Sequence, residues 1–96
     1  MRREDVLQVL REHRPELDQF GVASLALFGS VARDEAQSDS DVDLLVEFDQ
    51  PVGLFKFIGL QIYLQQLLGR RVDLVTPEAL RAPMRERILG EALRAA

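Results

Sequence analysis

The chain contains no cysteine and no tryptophan, a single histidine and a single tyrosine. Without cysteine there is no disulfide, no thiolate metal ligand and no cysteine nucleophile, so stability has to come from apolar packing and main-chain hydrogen bonds. Positive charge is also scarce relative to negative: 12 Lys and Arg stand against 16 Asp and Glu, for a formal net charge of −4. That balance excludes a protein whose main business is coating nucleic-acid phosphates, and no direct nucleic-acid partner is expected. No apolar run approaches the roughly 20 residues needed to cross a bilayer. The opening Met1-Arg2-Arg3-Glu4-Asp5 lacks the basic-then-apolar layout of a secretory signal. No membrane association and a cytoplasmic location are therefore expected.

What is there is an ordinary globular composition, 47% hydrophobic and 29% charged over 96 residues, which predicts one domain spanning residues 1–96. A chain of this size buries a small core, so a protein partner or a homo-oligomer is expected to add stability. Val6, Leu7, Val9 and Leu10 recur near helical spacing and predict a first helix over 3–13, ended near Pro15, with a short helical turn possible over 16–21. Residues 22–28 are a compact apolar run and 42–48 a second one interrupted by Asp43 and Glu47; both read as strands, joined by a turn at Gly29 and a polar loop over 34–40. The short connection favours an antiparallel pair.

Residues 54–68 predict a long helix stopped by Gly69, with Leu54, Phe57, Ile58, Leu64, Leu67 and Leu68 able to share one face. Phe55, Ile62 and Tyr63 put apolar bulk on its other sides, which leaves open whether it crosses the core or meets another chain. Residues 71–75 predict a short strand, parallel to the second because a helix-bearing crossover separates them. Residues 84–95 predict a closing helix with Met84, Ile88, Leu89 and Leu93 on related faces. The expected fold is α/β (α+β), a small mixed sheet of about three strands flanked by about four helices.

Asp41 and Asp43 stand two apart at the start of the second predicted strand, and the strand period turns both to one face. Asp73 is the odd acid in the apolar third strand. If the strands are neighbours the acids converge, and like charges beside apolar sequence are costly unless a cation neutralises them. Magnesium, a hard ion that joins carboxylates to substrate phosphates, suits that need. The alternatives are a solvated acidic turn through Asp39, Asp41 and Asp43, or a calcium loop. The calcium loop fails at Leu44 and Gln50, where the motif needs glycine and glutamate. Upstream, Gly29 permits close backbone approach to a phosphate, and Ser30 offers a hydroxyl and free N–H groups. His13, near the end of a polar-faced helix, is assigned no site role. Tyr63 reads as core or interface, and as a self-modification candidate only if exposed.

Through Leu27-Phe28-Gly29-Ser30-Val31-Ala32-Arg33, Ser38-Asp39-Ser40-Asp41-Val42-Asp43-Leu44-Leu45-Val46 and Val72-Asp73-Leu74-Val75, the chain resembles the minimal nucleotidyltransferases of the DNA polymerase β superfamily. The resemblance runs over nearly the whole chain. It implies a polymerase β palm-like fold, with Gly29 and Ser30 holding the β- and γ-phosphates of ATP or another nucleoside triphosphate and Arg33 contacting phosphate or bracing the acidic loop. It further implies that Asp41 and Asp43 bind two Mg2+ ions, with Asp73 as a further metal ligand or base on the nucleophile side. The reaction implied is in-line attack of an acceptor hydroxyl on the α-phosphate with loss of pyrophosphate. Minimal members are often encoded beside a HEPN-domain protein and act as its antitoxin by adenylylating it, so a HEPN partner is expected. Rival readings are an idle subunit that neutralises its partner by contact alone, or transfer to a small molecule such as an aminoglycoside.

Overall fold

Where apolar residues run without interruption between glycine and polar segments, the chain forms strands. In the computed structural model, which describes residues 2–37 and 40–96, β1 is Val22–Phe28 and β2 is Val42–Phe48, the spans the sequence predicts. They pair antiparallel, Leu25 opposite Val46 and Phe28 opposite Asp43. A register shift between Val22 and Ser24 changes the alternation of β1, so that Val22, Leu25 and Leu27 all reach the same core. Parallel to β2 lies β3 (Val72–Val75), with Asp43 opposite Asp73.

The sheet has a fourth strand that the sequence reading missed, giving the order β3-β2-β1-β4. This β4 is Leu93–Arg94, antiparallel to Ala26 and Leu27 of β1. The closing helix is correspondingly shorter than predicted: α5 is Ala82–Glu91, and Ala92 leaves it in extended conformation. Leu93 is a strand residue, while Met84 and Leu89 face outward. The remaining helices are α1 (Arg3–Glu12), α2 (Arg14–Gln19, with Pro15 in its first turn), the single turn α3 (Gly29–Ala32) and α4 (Leu54–Leu68), and a 3-10 turn at Pro77–Ala79 precedes α5. Pro15 starts α2 rather than only ending α1, because a first-turn residue needs no amide donor.

One face of the sheet carries Leu25, Leu27, Val42, Leu44 and Val46, packed with Val6, Leu7 and Leu10 of α1 and Leu60, Leu64 and Leu68 of α4. The buried stripe of α4 therefore runs at four-residue spacing from Leu60, and the predicted face is corrected: Leu54 and Ile58 are exposed, with Phe55 and Ile62. Gly69 ends α4 in the left-handed region, φ 65°. Next to the buried stripe, Gln61 donates to the Val72 carbonyl at 2.9 Å and Gln65 accepts from the Val72 N–H at 3.1 Å. These amides satisfy main-chain groups on the open side of edge strand β3. The opposite sheet face is only partly covered: Ile88 of α5 packs on Phe28 and Leu45, leaving the end that bears Asp43 and Asp73 open.

Candidate active site

The turn after β1 is built around Gly29. Its φ is +75°, and a Cβ there would overlap the Asp43 carboxylate, so both backbone conformation and close approach demand glycine. α3 then turns the chain away, with Val31 and Ala32 buried beneath it. The Ser30 carbonyl accepts from the Glu35 N–H at 2.8 Å, and Asp34 takes the left-handed conformation, φ 56°. Arg3 of α1 ties this loop down: its N–H donates to Asp34 at 3.0 Å and its guanidinium to the Ala32 carbonyl at 3.2 Å. The Ser30 hydroxyl is left without a hydrogen bond to any described residue, at the mouth of the turn beside Gly29.

Asp41 lies just before β2 and is exposed, Asp43 is half-buried, and Asp73 is exposed opposite Asp43 across the parallel pair. Strand alternation puts all of these side chains on the sheet face that α5 leaves open at this end. The Asp43 carboxyl is pushed up from 3.8 to about 6, first by burial, then by the charges of Asp73 and Asp41, with Arg33 opposing. The predicted convergence is thus present as shared face and register. It falls short of a closed ligand set: among the described residues no three acidic or histidine side chains are gathered closely enough to enclose an ion. The donor set fits a hard divalent cation, since Asp43 is held where its charge is poorly solvated and the carboxylates of Asp41 and Asp73 share its face. Ser38 and Asp39 lie outside the described residues.

Arg33 projects from the end of α3 between two acids. Its Nε donates to Glu35 at 3.2 Å, and one terminal nitrogen donates to both carboxylate oxygens of Glu91, at 3.3 and 3.2 Å. These partners, the Glu35 hydrogen bond foremost, raise its pKa further and keep it charged. Glu91 also accepts the Gly29 N–H at 3.2 Å, so the end of α5 is joined to the glycine turn. Sequence reasoning missed Glu91. A signal existed, because Glu91 stands three residues after Ile88, on the helix face that packs inward.

Other singled-out residues lie away from this cluster. His13 bonds through Nδ1 to the Val9 carbonyl, at 2.8 Å. Tyr63 packs against Phe20 with ring centroids 5.3 Å apart and the rings tilted by 38°, and its buried hydroxyl has no hydrogen-bond partner among the described residues, which removes it as a self-modification candidate. A cavity of about 750 Å³ opens at the other end of β2, between Phe48, Val52, Leu54, Phe57 and Thr76, and none of the acids above lines it.

Comparison with known proteins identifies the family. The family described as "Nucleotidyltransferase domain" matches residues 10–95. Protein adenylyltransferase MntA of Thermococcus cleftensis is 44% identical over 91 residues, covering 94% of this chain and 92% of its own. A solved structure assigned as a minimal nucleotidyltransferase superposes with a TM-score of 0.84 at 38% identity, covering 97% of this chain and 95% of that one. A solved complex of a tri-AMPylated HEPN toxin with an MNT antitoxin, from Shewanella oneidensis, matches with a TM-score of 0.67 at 17% identity, covering 94% and 71%, a likeness of fold.

Proposed function

This chain belongs to the nucleotidyltransferase domain family, and from that premise we propose that it transfers AMP from ATP, with magnesium, to a hydroxyl of a HEPN-domain partner protein and so acts as the antitoxin of that pair. One observation carries the reading: the half-buried Asp43 carboxylate lies between the Gly29 turn and Asp73, with its pKa raised to about 6. Such an arrangement is unfavourable by itself and becomes favourable when a cation and a polyphosphate arrive together. The adenylyl donor and protein acceptor are supported by the name of the Thermococcus relative and by the AMP-bearing toxin in the Shewanella complex.

In this reading Asp41, Asp43 and Asp73 would hold two magnesium ions, whose charge would lower the pKa of the acceptor hydroxyl and offset the charge on the departing pyrophosphate. Gly29 lets the Asp43 carboxylate lie against the turn, and the Ser30 hydroxyl, unpartnered among the described residues, donates to a phosphate oxygen. Arg33 lends its charge to the triphosphate. The open end of the sheet face, beyond the reach of α5, admits the acceptor. Mass spectrometry of the protein and of a HEPN-domain protein from the same source, after incubation with ATP and magnesium, tests this. The expected result is a gain of one or more adenylyl groups on the HEPN protein, abolished by the double substitution Asp41→Asn and Asp43→Asn. Complex formation without any mass gain would sink the transferase reading and favour neutralisation by contact.

A further inference from the structure

The phosphate turn is joined to a carboxylate from the far end of the chain. Glu91 takes the Gly29 N–H and one terminal nitrogen of Arg33, while Glu35 holds the Nε of the same guanidinium. A carboxylate and a phosphate present oxygens of similar size and charge to such donors, so they compete for them. Glu91 ends α5, in a last turn that has no basic residue, where the helix dipole disfavours negative charge. Helix stability therefore gives no reason for an acid at this position, and the contacts with Arg33 and Gly29 do. Its charge also bears on Asp43, raising that pKa, which places it within electrostatic reach of the acids. Beyond Glu91, Ala92 leaves the helix in extended conformation, so the carboxylate sits where the helical ladder ends and a side-chain shift disturbs least.

We propose that Glu91 is an internal competitor of the triphosphate: it holds the Arg33 terminal nitrogen and the Gly29 amide until phosphate oxygens replace it, while Glu35 keeps the guanidinium oriented for the exchange. This rests on the nucleotidyl-transfer reading and adds a control on nucleotide affinity. It is tested by calorimetric titration of inorganic tripolyphosphate with magnesium into the wild-type protein, Glu91→Gln, Arg33→Met and the double variant, with thermal melts as the folding control. Glu91→Gln preserves shape and an acceptor for Gly29 while removing the charge that binds Arg33. The expected result is binding about fivefold tighter than wild type, the scale of an exposed ion pair given up on binding, with that gain lost in the Arg33→Met background. Equal or weaker binding by Glu91→Gln, with the wild type binding, would overturn the competition and leave the transfer reading standing. A gain that persists without Arg33 would overturn it too. Failure of both the wild type and Glu91→Gln to bind would bring down the transfer reading together with the proposal.

Discussion

Asp43 is a carboxylate kept where its charge is least welcome, and its cost can be read from pH. Its folded-state pKa is raised from 3.8 to about 6, so its contribution to stability is fully present below about pH 4 and is lost as pH rises through 6. For a partly solvated group the loss comes to about 1–2 kcal/mol, after discounting the full shift for screening. In the metal-free protein, Asp43→Asn should therefore raise the melting temperature at pH 7 and flatten its dependence between about pH 4 and 6; an unchanged pH profile would mean the carboxyl is not strained. Gly29→Ala is expected to do the reverse. The positive φ alone costs about 1 kcal/mol, and overlap with the Asp43 carboxylate adds to it, so denaturant unfolding should register a loss above that figure. Both residues are legible in the sequence because their chemistry is local: a glycine closing an apolar run, and acids at period two. For Glu91 the sequence offers only its place on the inward face of α5, since its meaning comes from Gly29 and Arg33, 62 and 58 residues away in the chain.

The element that best separates what periodicity specifies from what packing decides is α4. Its limits are readable, Leu54 to the left-handed Gly69, because glycine and a polar connector punctuate them. Its inward face is not, because apolar side chains occur on every side and Lys56, Gln61, Gln65 and Gln66 are too few and too scattered to mark one solvent face. Tertiary packing resolves this in favour of Leu60, Leu64 and Leu68, leaving Phe55 92% exposed. Leu64→Ala is accordingly expected to cost about 2–5 kcal/mol in unfolding free energy, whereas Phe55→Glu should stay within about 0.5 kcal/mol. Equal losses in chemical denaturation would show the faces to be exchanged. The same limit explains the closing segment: Met84, Ile88, Leu89 and Leu93 fit helical spacing, yet only Ile88 is buried in α5. β1 recruits Leu93 to its open edge, a long-range pairing that no local pattern announces.

At the scale of the molecule, β4 is the join between core and site. It is short, but it covers the side of β1 that β2 leaves free. Main-chain bonds extend it beyond Arg94: Ala95 N–H to the Leu25 carbonyl at 2.8 Å, and Leu25 N–H to the Ala96 carbonyl at 3.0 Å. Ala95 is buried within the main core. The strand also anchors the end of α5, and therefore the position of Glu91 against Gly29 and Arg33. Removing residues 93–96 deletes these bonds, each worth about 1 kcal/mol, and opens a β1 edge made of apolar residues. The shortened protein is expected to unfold about 2–4 kcal/mol more easily in denaturant, by the sum of such bonds and the lost burial. It is also expected to self-associate as its concentration rises, because an unpaired apolar edge strand pairs with another copy; light scattering across a concentration series reads this directly. A shortened chain that stays monomeric and equally stable would show β4 to be ornamental to the sheet, and the attachment of α5 would then rest on the packing of Ile88 with Phe28 and Leu45 and on the bonds of Glu91 to Gly29 and Arg33.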